Sequence, residues 1–116
     1  MSKLDDMLRE NGIAVAHNFG GGTYAKEMRI PRGQYIKQHA HNYEHLSILA
    51  SGDARVEMAG KTEYLSGPSC ITIPAGYEHR VAAVTDVVWY CIHATNVADP
   101  EVIDASIMEG TEHASH

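Results

Sequence analysis

The feature that most constrains this chain is its punctuation. Short apolar and β-branched runs occupy residues 13–17, 23–30, 34–39, 46–50, 54–58, 62–65, 70–73, 79–84 and 87–92. Between them stand turn signals such as Pro31-Arg32-Gly33, Ser51-Gly52-Asp53, Ala59-Gly60-Lys61 and Pro74-Ala75-Gly76. Strands that recur about every eight to ten residues point to an all-β sandwich or barrel. Within 23–30 the alternation is clear: Tyr24, Met28 and Ile30 share one parity, Glu27 and Arg29 the other.

The ends read differently. Leu4, Met7 and Leu8 suit a short helix over 2–10, and Asp99-Pro100 can cap and start another through Ile107. Gly20-Gly21-Gly22 reads as a flexible loop, and the polar residues 110–116 as a loose tail. At 116 residues the whole chain, 1–116, fits one domain. Fifteen acidic against nine basic residues give a net charge of −6, which opposes nucleic acid and anionic membranes as partners. No apolar run reaches the roughly 20 residues of a membrane span, and 1–9 lacks a signal-peptide core, so a cytoplasmic location is expected. Cys70 and Cys91 are then expected to be free thiols.

Eight histidines carry the chemistry. His39 and His41 are two apart and can aim from one strand face at one point; His45 keeps that parity. His79 follows Pro74-x-Gly76, a turn that can return a strand beside them. Neutral imidazole is the commonest metal ligand and suits Fe, Ni, Cu and Zn. His17, His113 and His116 have no spacing partner and read as surface residues. The chain has no phosphate-binding glycine loop, serine elbow, cysteine-rich zinc pattern or His-Glu-x-x-His helix.

These residues resemble the two motifs of the cupin superfamily. Gly33, five residues, His39-Ala40-His41, three residues, His45, six residues and Gly52 follow the first motif, with His45 where the family usually has Glu. Gly67, six residues, Pro74-Ala75-Gly76, two residues and His79 follow the second with one extra residue, and Ala83 stands in place of its final Asn. The resemblance covers 33–83. It implies a double-stranded β-helix, or jelly-roll barrel, with short terminal helices. It also implies one divalent transition metal per chain (Fe, Mn, Ni, Cu or Zn) held by His39, His41, His45 and His79, as in small four-histidine cupins. Glu44 is the rival to His45, but it lies one residue out of register with opposite parity.

Four neutral imidazoles leave the metal charge uncompensated, which favours an anionic small-molecule ligand. Open coordination positions would suit a metal-dependent dioxygenase, an oxidoreductase. A Lewis-acid isomerase, epimerase or lyase and a non-catalytic binding module are the alternatives, and no catalytic residue is assigned. Candidate pocket residues are Tyr35 and Lys37, which share parity with His39; Tyr43, which lies between ligands; and Trp89, Cys91 and His93, one face of a late strand. A homodimer is expected from the resemblance, with 13–17 a candidate for exchange between subunits.

Overall fold

Alternation of buried and exposed side chains runs through nearly every strand, so each contributes one apolar stripe that must find a partner layer. The structure, a computed structural model, describes residues 11–38, 40, 41, 43–94 and 111–113. The strands are β1 (Ala14–Gly20), β2 (Thr23–Ile30), β3 (Tyr35–Gln38), β4 (His45–Ser51), β5 (Asp53–Met58), β6 (Lys61–Ser66), β7 (Ser69–Ile73), β8 (His79–Ala83), β9 (Val87–Ala94) and β10 (Thr111–His113). They form two five-stranded sheets, ordered β1-β2-β9-β4-β7 and β10-β3-β8-β5-β6. Every pairing is antiparallel. This is the all-β architecture expected from the strand spacing, in the jelly-roll form that the motif resemblance implies. No helix among the described residues could cross a membrane. Both expected terminal helices, and His39 and His116, lie outside the described residues.

The inner faces stack in rows set by register. Val15, Met28, Trp89 and Leu49 lie opposite one another across β1, β2, β9 and β4. Ile36, Val81 and Val56 do the same across β3, β8 and β5. These residues belong to one buried cluster with Ile13, Ile30, Ala54 and Val87. The apolar core therefore fills one end of the barrel. Burying a side chain of this size contributes about 1.5–3 kcal/mol.

Two sequence expectations change. Gly21 and Gly22, with φ of 60° and 73°, make the two-residue turn of the tight β1–β2 hairpin instead of a loose loop. Positive φ at both positions suits the twist of such a hairpin, and glycine adopts it without steric cost. Residues 111–113 of the expected tail form β10, which pairs with β3 from Gln38 to Ile36. That pairing satisfies backbone groups that β3 would otherwise present as a bare edge.

Candidate functional site

Above the apolar rows the inner faces turn polar. His17, Lys26, Cys91 and Ser47 lie opposite one another across β1, β2, β9 and β4. One row further out, Tyr24 faces His93, and the His45 ring stacks on His93 with centroids 4.7 Å apart. From the other sheet, Gln38, His79 and Met58 form the matching row. The barrel is thus greasy at one end and a chamber of imidazoles at the other.

The loop before β4 brings His41 to this end. Its ring centroid lies 5.8 Å from His45 and 5.9 Å from His93. The Gly76 N–H donates to the His41 carbonyl at 2.9 Å. Gly76 has a φ of +86°, a conformation that favours glycine. So the Pro74-Ala75-Gly76 turn holds the His41 loop, while β8 begins at His79 three residues later. His79 and His45 have centroids 6.0 Å apart. The remaining motif glycines also act through the backbone. A Cβ on Gly52 would sit 2.1 Å from the Asp86 carbonyl oxygen, and one on Gly67 would sit 2.8 Å from Ser51.

Tyr43 caps the chamber, 39% exposed, with its ring 5.3 Å from His41 and its hydroxyl 3.2 Å from His93 Nδ1. Trp89, Cys91 and His93 face inward, so this face of β9 lines the interior. Cys91 Sγ lies 3.3 Å from Gln38 Oε1, linking the two sheets, and 3.9 Å from Ser47 Oγ. Cys70 is exposed and both thiols are free.

Tyr35 and Lys37 do not line the interior. The buried side chains of β3 are Ile36 and Gln38, so its other face points outward. There Tyr35 carries the Arg80 guanidinium 4.5 Å above its ring. His17 is half-buried and not a bare surface residue, with Nδ1 2.7 Å from the hydroxyl of the fully buried Tyr24. Lys26 and Gln38, at 0% and 3% exposure, were not singled out by sequence. The available signal was parity, since Lys26 shares its face with Tyr24 and Met28.

Burial dominates the electrostatics. It lowers His45 and His79 to about 4 and His93 to about 3, with neighbouring imidazoles adding to each shift. All three rings are therefore neutral at pH 7 and keep a lone pair available. Burial first, and then the Cys91 charge, raises Tyr43, so its phenol stays a hydrogen-bond donor. Cys91 is raised by burial, which opposes thiolate formation.

Neutral imidazoles make up the donor set of the chamber. Both ring nitrogens of His45, both of His79 and Nε2 of His93 are buried with no hydrogen-bond partner among the described residues. Leaving such groups unsatisfied costs about 1–3 kcal/mol each. Two imidazoles on one metal, with N–metal near 2.1 Å, have centroids at most roughly 6.4 Å apart. The His41–His45 and His45–His79 separations of 5.8 and 6.0 Å fall inside that limit. As they stand, no three or more His, Cys, Asp or Glu side chains among the described residues are arranged to hold a metal.

Beside the His79 row, the edges of β6 and β7 leave a cleft of about 380 Å³ lined by Val56, Met58, Leu65, Ile71, Pro74 and Tyr77, among others. That volume is in the range that accepts a small organic molecule.

Two packed antiparallel sheets with a polar, histidine-rich end define a jelly-roll barrel. The chain belongs to the cupin family: residues 26–93 match the cupin domain. Among solved structures it is similar to ectoine synthase from P. lautus, at 14% identity and a TM-score of 0.71, covering 89% of this chain and 76% of that one. It is similar to KdgF from Halomonas sp., at 19% identity and 0.64, covering 74% and 82%. A predicted oxalate decarboxylase from Thermotoga maritima gives 14% and 0.60, covering 69% and 77%. At these identities the likeness is one of fold. No curated protein matches the sequence.

Proposed function

We propose that this cupin is a metal-dependent enzyme acting on a small organic molecule, with one divalent transition metal held by His39, His41, His45 and His79. The observation that carries this reading is the pair His45 and His79, whose rings are neutral and whose four nitrogens are buried without hydrogen-bond partners among the described residues. A cation between the sheets would use lone pairs that the fold otherwise leaves idle. When bound, the metal would supply a Lewis acid and, if redox-active, a site where substrate meets dioxygen.

The chain's own residues would do the rest. His93 and Tyr43 border the imidazoles and can donate to or accept from a bound ligand, with Tyr43 neutral and able to donate. Tyr24, Trp89 and Ile73 keep bulk water from the inner wall. The cleft beside Met58 offers apolar contact to the substrate body. We favour an oxygenase over the Lewis-acid and binding-module alternatives because the all-imidazole set leaves ligand positions for both substrate and dioxygen.

Elemental analysis of tag-free wild type, His45→Ala and His79→Ala tests the metal reading. Near-stoichiometric metal in wild type, lost by at least ten-fold in both variants, is expected. Equal metal in all three removes both residues from the site. Oxygen consumption by the iron- or manganese-loaded protein with enols, diketones, thiols and phenols then tests the reaction. Activity kept with zinc and without oxygen would establish the Lewis-acid alternative instead.

A further inference from the structure

Strands β4 and β9 lack the polar alternation of a half-solvated sheet. β9 reads VVWYCIHA and β4 reads HLSILAS, with no Asp, Glu, Lys or Arg in either. Their inner faces are buried, with Val87, Trp89, Cys91 and His93 on β9 and His45, Ser47 and Leu49 on β4. Their outer faces are apolar as well. Register sets Ile92 beside Leu46 and Tyr90 beside Ile48, with Ala25 and Glu27 next to them on β2. Leu46 is 46% exposed, and Ile48, Val88, Tyr90 and Ile92 are half-buried. The outer face of the other sheet is built for water: Lys37, Arg80, Glu57 and Thr62 form one row across it. An antiparallel strand that meets water on one side alternates apolar with polar, whereas a strand covered on both sides reads as a continuous apolar run. β4 and β9 are of the second kind, yet among the described residues only their inner side is covered.

We propose that a second copy of this chain docks on the outer face of the β1-β2-β9-β4-β7 sheet, with Leu46, Ile48, Tyr90 and Ile92 at the centre of a two-fold interface. The centre is apolar and free of charge, as the buried middle of a same-chain interface requires. Its flank on β2 carries both signs side by side: Arg29 lies 3.6 Å from Glu27, which accepts a hydrogen bond from the Tyr90 hydroxyl at 2.7 Å. A patch holding both charges can meet its own copy without setting like charges against each other. The size also suffices. Five strands of about seven residues, spaced ~4.8 Å with a rise of ~3.3 Å per residue, give a face of roughly 550 Å² even as a flat projection. Two such faces bury roughly 1,100 Å², past the roughly 1,000 Å² that a specific interface needs. This contact leaves β1 paired with β2 of its own chain and exchanges no strand. Because β4 and β9 carry His45 and His93 inward, the second copy braces the wall of the imidazole chamber from outside.

Sedimentation equilibrium of the full chain tests this. Wild type is expected as two chains at micromolar concentration. Leu46→Arg puts a charge into the centre of the face on both copies and is expected to weaken pairing at least about hundred-fold, with the circular dichroism spectrum unchanged. Tyr64→Arg, a like change at the 73% exposed residue on the other sheet, is expected to leave pairing intact. Should Leu46→Arg not fold, Leu46→Gln carries the test, with at least about ten-fold weakening expected. A monomeric wild type overturns the proposal. So does a dimer that withstands the Leu46 substitution, which would put the contact elsewhere, such as the β1 edge, or one that Tyr64→Arg dissolves equally. Metal does not enter the readout, so failure of wild type to take up metal refutes the metal reading and leaves this one standing.

Discussion

Acidification should unfold the metal-free protein steeply, and the slope can be worked out from three rings. His45, His79 and His93 are at most 7% exposed, and burial holds them near 4, 4 and 3. In the unfolded chain each returns to about 6.5. Between those limits the unfolded state binds up to three more protons than the folded state. Stability is therefore complete above pH 6.5 and falls as the pH drops toward 4. Each extra proton is worth about 1.36 kcal/mol per pH unit, so three give a ceiling of about 4 kcal/mol per unit. Trimmed for solvent contact at the ring edges, about 3 kcal/mol per unit is expected. Against a total stability of about 5–15 kcal/mol, this removes much of the fold between pH 6.5 and 4.5. The assay is thermal unfolding in chelator, followed by circular dichroism at half-unit pH steps. The midpoint should fall by at least about 15 °C over that interval. His93→Phe keeps a ring in place and removes one proton site, so its slope should be shallower by about a third. A midpoint that stays flat from pH 6.5 to 4.5 would falsify the claim that these imidazoles are buried and neutral.

The glycine contacts give a paired test. Gly52→Ala places a Cβ against the Asp86 carbonyl at a φ of +91° and should cost at least about 3 kcal/mol, whereas Gly60→Ala, at +75° with nothing nearby, should cost only about 1 kcal/mol. Equal melting temperatures for the two would contradict the close approach of the two turns. Among thiols, native protein should react with a disulfide reagent at Cys70 alone, and denaturant should release Cys91; two fast thiols in the native state would contradict its burial. Trp89→Ala removes the largest side chain of the core and should cost about 3–5 kcal/mol by chemical denaturation.

The strands were legible in the sequence because alternation and turn chemistry are local. The span 23–30 is β2 to the residue, and Ala59-Gly60 is the β5–β6 turn. His45 and His79 come to one end as the first residues of β4 and β8, and His41 joins them from a loop tied to the Pro74-Ala75-Gly76 turn, which strand parity does not encode. Tyr35 and Lys37 share parity with His39, but β3 ends at Gln38 with Ile36 and Gln38 inward, so that parity does not carry into the strand. A lysine in an alternating strand ordinarily marks the wet face, so the burial of Lys26 is signalled in the sequence only by its shared parity with Tyr24 and Met28. β10 is polar and pairs through its backbone, which leaves no hydrophobic trace in the sequence.

The division of the barrel into separate tiers has an evolutionary consequence. Strand register keeps the greasy tier of Val15, Met28, Trp89 and Leu49 apart from the imidazole tier. Residues of the upper tier can be exchanged without disturbing the packing that holds the barrel closed. A scaffold so partitioned can trade one chemistry for another by a handful of replacements near its rim while the foundation carries the cost of folding.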